Sequence, residues 1–218
     1  DVPSFCMVHK MAILPDPQTC AKYFNCSDYG GSHIECRYPD LYSTQEKRCV
    51  NFTLVKCDSR TEPQAPCEYT QNLCHLGDKA CPPCPKRLPS CVGILNGEQP
   101  FPGRLWKPDF VTCLHNRTIY IQYCENGYFH PVRKQCVINV TKADVKDYCL
   151  ANKDSIIDDP TSCNRFYNCS RVAVSRKLTT SECHYPDLFS TITKSCQLFT
   201  SVNCDQRQET MAPCKINV

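Results

Sequence analysis

Apolar positions in this chain come in short runs, and polar residues, Gly and Pro interrupt them throughout its 218 residues. That pattern predicts short strands and turns, with little helix. Ile119-Tyr-Ile-Gln-Tyr-Cys124 and Arg171-Val-Ala-Val-Ser-Arg176 read as strands by their β-branched and aromatic content. Gly30-Gly31 and Asn126-Gly127 read as turns. A single helical turn is expected near Thr141-Lys-Ala-Asp-Val-Lys-Asp147. One stretch, Cys20-Ala-Lys-Tyr-Phe-Asn-Cys26, sets two adjacent aromatics between cysteines, and the chain writes it again as Cys163-Asn-Arg-Phe-Tyr-Asn-Cys169. In a strand the two rings of each copy point to opposite faces, one toward a small core and one toward a ligand.

The repetition extends well beyond that stretch. Cys6, Cys20, Cys26, Cys36, Cys49 and Cys57 are separated by 13, 5, 9, 12 and 7 residues. Cys149, Cys163, Cys169, Cys183, Cys196 and Cys204 are separated by 13, 5, 13, 12 and 7. The one gap that differs is expected to lengthen a hairpin loop. Tyr38-Pro-Asp-Leu-Tyr-Ser-Thr44 recurs as Tyr185-Pro-Asp-Leu-Phe-Ser-Thr191, and Cys57-Asp-Ser-Arg as Cys204-Asp-Gln-Arg. Spacing and side chains together make an internal repeat. Between the copies, Cys67, Cys74, Cys81-Pro-Pro-Cys84-Pro and Cys91 predict a stiff, stapled connector. Cys91, Cys113, Cys124 and Cys136 mark a third, degenerate unit without counterparts of the third and sixth cysteines. The divisions expected are 1–66, 67–140 and 141–218.

With 21 cysteines in 218 residues, the composition is that of a disulfide scaffold made in an oxidising compartment. Units of this size are too small to stand on apolar burial alone. The fold class expected is therefore a small disulfide-rich β fold of tandem modules, built from short antiparallel sheets and hairpins. Asp1 opens without a leader segment, as in a mature secreted form. No apolar run approaches the ~20 residues of a membrane helix. Asn25, Asn51, Asn116, Asn139 and Asn168 head Asn-x-Ser/Thr sequons, which fits a secreted, extracellular-matrix protein. The net charge of +3 is small and scattered, so nucleic acid has no footprint here.

Six cysteines, with an aromatic pair between the second and third and a Tyr-Pro-Asp-Leu-aromatic run after the fourth, resemble the peritrophin-A, or type 2, chitin-binding domain. That resemblance implies bridges Cys6–Cys26, Cys20–Cys57 and Cys36–Cys49 in the first module. It implies Cys149–Cys169, Cys163–Cys204 and Cys183–Cys196 in the last, and Cys124–Cys136 in the middle. Cys91 and Cys113, left without their usual partners, would then pair with each other. The run through Ala-Pro-Cys67, the Cys/Pro connector and Phe101-Pro-Gly-Arg-Leu-Trp106-Lys-Pro-Asp is similar to the chitin-binding region of mollusc shell-matrix proteins of the Pif type. The partner implied is chitin, with calcium carbonate and other matrix proteins as further ones, and no cofactor.

Chitin is a neutral polymer of N-acetylglucosamine, so a binder needs an aromatic platform for the ring face and amides or hydroxyls for its edge. The platform candidates are Tyr23, Phe24 and Tyr42, with counterparts Phe166, Tyr167 and Phe189. Phe24 and Tyr167 are weighted to ligand contact, and Tyr23, Tyr42, Phe166 and Phe189 to core. Asn25 and Asn168 suit the acetamide, and a glycan there would compete. Tyr38 and Tyr185, each before Pro, belong on an extended or turn backbone. Trp106 is a platform candidate weighted to plugging a disulfide. Cys81-Pro-Pro-Cys84 is weighted to disulfides over zinc or redox chemistry. Asp158-Asp159 and Asp144/Asp147 are too few carboxylates for a calcium cage. The sequence carries no acid pair for glycoside hydrolysis, so the expectation is a binder and not an enzyme. Two other readings stand beside it: a cysteine-rich inhibitor or protein-binding ectodomain, and an accessory region of a chitinase. Parity leaves Cys214 without a partner, and the natural protein is expected to continue past Val218.

Overall fold

The structure is a computed structural model that describes residues 2–27, 31–75 and 80–211. Gly30 and Cys214, and the expectations attached to them, lie outside the described residues. The fold is small, disulfide-rich and mostly β. Residues Asp1–Glu98 with Val111–Ile121 form one compact unit, and Gln99–Phe110 with Gln122–Val218 form the other. The segment 67–140 thus contributes to both.

The first unit opens with helix α1 (Val2–Val8). Strands β1 (Ile13–Pro15), β2 (Lys22–Asn25) and β3 (Ser32–Glu35) make an antiparallel sheet in that order. A hairpin of β4 (Leu41–Ser43) and β5 (Arg48–Val50) follows. Helix α2 (Cys84–Arg87) sits in the connector. Strands β6 (Gly97–Pro100), β7 (Asp109–Leu114) and β8 (Arg117–Tyr123), whose residues are divided between the two units, form a second three-stranded sheet. Cys20, Ala21, Leu41, Phe52 and Tyr69 make the core of the first unit, with Tyr38, Val55 and Ile119 packed against it.

In the second unit β9 (Tyr128–His130) pairs with β10 (Gln135–Val137). Asn126-Gly127 is the expected turn, and only glycine fits there. Gly127 has φ +91°, and a Cβ would stand 2.0 Å from the Val137 carbonyl oxygen. Helix α3 (Lys142–Ala151) is longer than the single turn expected. Its start is a capping box, in which the Thr141 hydroxyl accepts from the Asp144 N–H and Asp144 Oδ2 accepts from the Thr141 N–H at 2.8 Å. Then come β11 (Ile156–Asp158) and β12 (Arg165–Asn168), helix α4 (Cys169–Ser175) and β13 (Thr180–Glu182). A hairpin of β14 (Asp187–Ser190) and β15 (Ser195–Leu198) ends the described elements.

Helix α4 corrects the strand expected at Arg171–Arg176. The Asn168 side chain caps it by accepting from the Ser170 N–H at 3.1 Å, and Arg176 ends it in the left-handed region at φ 59°. Cys169 and Val172, three residues apart, are buried together, whereas Val174 is 88% exposed. That is helical spacing, not strand alternation. The four extra residues between Cys169 and Cys183 do lengthen the loop of the β12–β13 hairpin, as expected, and α4 occupies that loop.

All ten bridges among the described residues lie within single units. Those of the modules are Cys6–Cys26, Cys20–Cys57, Cys36–Cys49, Cys149–Cys169, Cys163–Cys204 and Cys183–Cys196. Cys91–Cys113 and Cys124–Cys136 staple the middle segment. These are the pairings that the resemblance implies. In the connector, Cys67 pairs with Cys84 and Cys74 with Cys81, so the two cysteines of Cys81-Pro-Pro-Cys84 do not pair with each other. Among the described residues no helix is long and apolar enough to cross a membrane.

Candidate functional site

The repeat is structural as well as sequential. The Tyr42 N–H donates to the Cys20 carbonyl at 2.9 Å, and the Phe189 N–H donates to the Cys163 carbonyl at 2.8 Å. Each bond draws the second hairpin of its module under the aromatic strand. The result in both modules is a two-ring stack. Tyr23 lies on Tyr42 with centroids 4.7 Å apart and planes 19° apart. Phe166 lies on Phe189 at 4.9 Å and 14°. The inner rings, Tyr42 and Phe189, are 1% and 0% exposed. The outer rings, Tyr23 and Phe166, are half-buried.

A buried arginine anchors each inner residue. Arg60 donates to the carbonyls of Cys57, Tyr42 and Lys56 at 3.2, 3.4 and 3.3 Å. Arg207 donates to those of Cys204, Phe189 and Asn203 at 3.3, 3.2 and 3.3 Å. Sequence reasoning missed both arginines. The signal was present in the echo of Cys57-Asp-Ser-Arg60 by Cys204-Asp-Gln-Arg207. A buried guanidinium with three carbonyl partners holds the backbone under the stack.

The opposite sheet face differs between the modules. Phe24 is half-buried and stacks on His33 at 4.3 Å and 11°. His33 Nε2 lies 2.7 Å from Asp16 Oδ2. Burial pushes the Asp16 carboxyl up, but hydrogen bonds from the Thr19 and Gln18 N–H groups, and His33, outweigh it and hold the carboxyl below its ordinary range. Tyr167 is only 3% exposed. It packs with Ile157, Val145, Val172 and Trp106, and its hydroxyl donates to Asp159 Oδ2 at 2.9 Å. Burial first, then the Asp159 carboxylate, raise its phenol above the ordinary value. Ligand contact by Tyr167 is therefore corrected to a core role, because α3 and α4 supply apolar partners to that face. Tyr42 and Phe189 are likewise closed to a polymer as inner rings.

The remaining candidates are dispersed. The Tyr38 hydroxyl accepts from the Thr118 N–H at 2.7 Å, and Tyr69 meets its ring edge-on at 5.2 Å, so Tyr38 is a strut. Its counterpart Tyr185 is 49% exposed. Phe52 lies under the Arg117 guanidinium at 4.5 Å and is 6% exposed, but its counterpart Phe199 is 48% exposed. Asn25 Oδ1 accepts from the Ser27 N–H at 3.0 Å, and Asn168 Oδ1 from Ser170. The Asn25 amide thus serves a turn and the Asn168 amide the cap of α4. They lie two residues beyond Tyr23 and Phe166, on the same strand face. Trp106 is 3% exposed and packs with Cys149 and Cys169, the plug beside a bridge that the sequence favours, and the alternative of a surface platform is corrected.

Among the described residues no group of three or more His, Cys, Asp or Glu is arranged to hold a metal ion. The acidic pairs have local roles. Asp144 caps α3, and Asp159 Oδ1 accepts from the N–H groups of Thr161 and Ser162 at 2.8 and 3.2 Å. Asp158 is buried. Burial raises its carboxyl above the ordinary range although Arg207, Lys194 and Lys107 pull the other way. A scan of the sequence against family models finds no match, and a search of curated proteins finds none either.

Proposed function

We propose that this chain is a secreted chitin-binding protein that grips N-acetylglucosamine polymer through the outer rings Tyr23 and Phe166. The observation that carries this reading is the repeated stack, a half-buried ring laid flat on a buried one at matched positions of two modules. A sugar ring shows a flat face of C–H bonds, which suits an aromatic face already fixed in orientation. Such a contact adds ~0.5–1.5 kcal/mol beyond the area it buries. One module therefore binds weakly. A polymer repeats its epitope, and two linked modules gain ~10²–10⁴ in avidity when both reach the same surface. Asn25 and Asn168, beside the outer rings, are the amide partners of this scheme. Ten bridges support an oxidising, extracellular setting.

The protein is a binder in this reading and not a hydrolase. Incubation with insoluble chitin should deplete it from solution and release no sugar. Depletion should persist as salt is raised, because the ligand is neutral. Retention in solution with every chitin preparation, or a steep loss with salt, would defeat the proposal in favour of a charged or protein partner.

A further inference from the structure

We infer that Asn51 is the preferred N-glycan acceptor among the five sequons, and that Asn116 is a structural asparagine that stays unmodified. At Asn51-Phe-Thr53 both the asparagine and the threonine are exposed. Asn51 Oδ1 accepts from the Thr53 N–H at 3.0 Å and from the Thr53 hydroxyl at 2.8 Å. These contacts span two residues, so they need no tertiary structure and can form in the nascent chain. Two donors on the amide oxygen draw electron density from the nitrogen and make its N–H more acidic. The donor class is a lipid-diphosphate-linked oligosaccharide. In the transfer a transferase base takes the amide proton and the nitrogen bonds to sugar C1. The C1–O bond to the diphosphate breaks, and the lipid diphosphate leaves with the electron pair.

The other sequons differ from it in burial or in the partners of their side chains. Asn116 Oδ1 accepts from the Gly93 N–H at 3.1 Å, and its amide nitrogen donates to Gln64 Oε1 at 3.1 Å. The Thr118 hydroxyl of that sequon donates to the Pro89 carbonyl at 2.6 Å, and Arg117 between them is fully buried. A glycan on Asn116 would cost the native bond to Gln64. Asn139 and Thr141 are exposed as well, but the Thr141 hydroxyl of that sequon donates to Asp144 Oδ2 at 2.7 Å in the cap of α3. Asn168 makes the same local turn, its Oδ1 accepting from the Ser170 N–H at 3.1 Å and the Ser170 hydroxyl at 2.6 Å, but there and at Asn25 the middle residue is a bridged, buried cysteine, Cys169 or Cys26, and each asparagine is half-buried.

The test is site-by-site occupancy in the full chain secreted from cultured eukaryotic cells. Enzymatic deglycosylation in heavy-oxygen water tags each formerly occupied asparagine for peptide mass spectrometry. The expected result is highest occupancy at Asn51 and none at Asn116. Thr53→Ala should abolish the Asn51 tag and Thr53→Ser should retain it. Any other ranking, a tag at Asn116, or an untagged Asn51 in secreted protein overturns the inference. None of these readouts depends on chitin.

Discussion

In the proposed reading the two-ring stack separates a structural ring from a binding ring, and alanine at each position of the second module tells them apart. Phe189 is 0% exposed, so Phe189→Ala leaves a cavity under β12 and should cost ~3–5 kcal/mol. Phe166 is half-buried. Full burial of such a ring is worth ~1.5–3 kcal/mol, so Phe166→Ala should cost about half of that, plus part of the ~0.5–1.5 kcal/mol stack. The outer change should therefore be the milder by roughly 1–3 kcal/mol. Urea unfolding without reductant, followed by near-ultraviolet circular dichroism, measures both. The two units can unfold in separate transitions, and only the one containing Phe166 should shift. Chitin depletion should show the reverse order per unit of stability lost, because Phe166→Ala removes a contact while its module stays folded. Equal stability losses for the two variants would refute the division into inner and outer rings. So would full chitin binding by a folded Phe166→Ala protein whose other module has also lost Tyr23.

Tyr167→Phe should cost ~1–2 kcal/mol, since it deletes one buried hydrogen bond to Asp159, and should leave chitin depletion unchanged; lost binding in a folded variant would return Tyr167 to the site. Asp158 has a folded pKa above its unfolded value, so the folded state holds the extra proton and stability falls as pH rises through that window. Asp158→Asn should therefore stabilise the protein at pH 7 and give no gain below the unfolded value of ~3.9; a loss at pH 7 would mean that attraction to Arg207, Lys194 and Lys107 outweighs burial. Peptide mapping of unreduced protein should recover Cys67–Cys84 and Cys74–Cys81, and a Cys81–Cys84 bridge would contradict the connector.

Much of the fold was legible because cysteine spacing and the echoed residues between cysteines carry it. The repeat marked both modules, while β-branched and aromatic content marked the strand at β8 and an Asn-Gly pair the turn at Asn126-Gly127. Four things were not legible, each for a physical reason. Val172 and Val174 looked like strand alternation, but the cap at Asn168 and the bridge at Cys169 set a helix, which local composition does not reveal. The faces of Phe24 and Tyr167 were identical by strand position. Which of them is covered depends on α3 and Trp106, distant in sequence, and on α4, whose helical state the composition did not show. The inner and outer rings could not be ranked because Tyr23 and Tyr42, or Phe166 and Phe189, are equally apolar, and only the stack shows which is on top. Arg60 and Arg207 lay in plain view in the repeat, yet a charged residue in an echoed turn reads as surface until its three carbonyl partners are seen.

The central claim is that Tyr23 and Phe166 are the two platforms of one avid binder. Depletion by insoluble chitin, measured for the parent, for Tyr23→Ala, for Phe166→Ala and for the double variant, tests it most directly, with soluble N-acetylglucosamine oligomers as competitor. The account predicts that each single variant loses most of the ~10²–10⁴ avidity gain, that the double variant no longer binds, and that the oligomers release the parent. A double variant with intact bridges that binds as the parent does would contradict it.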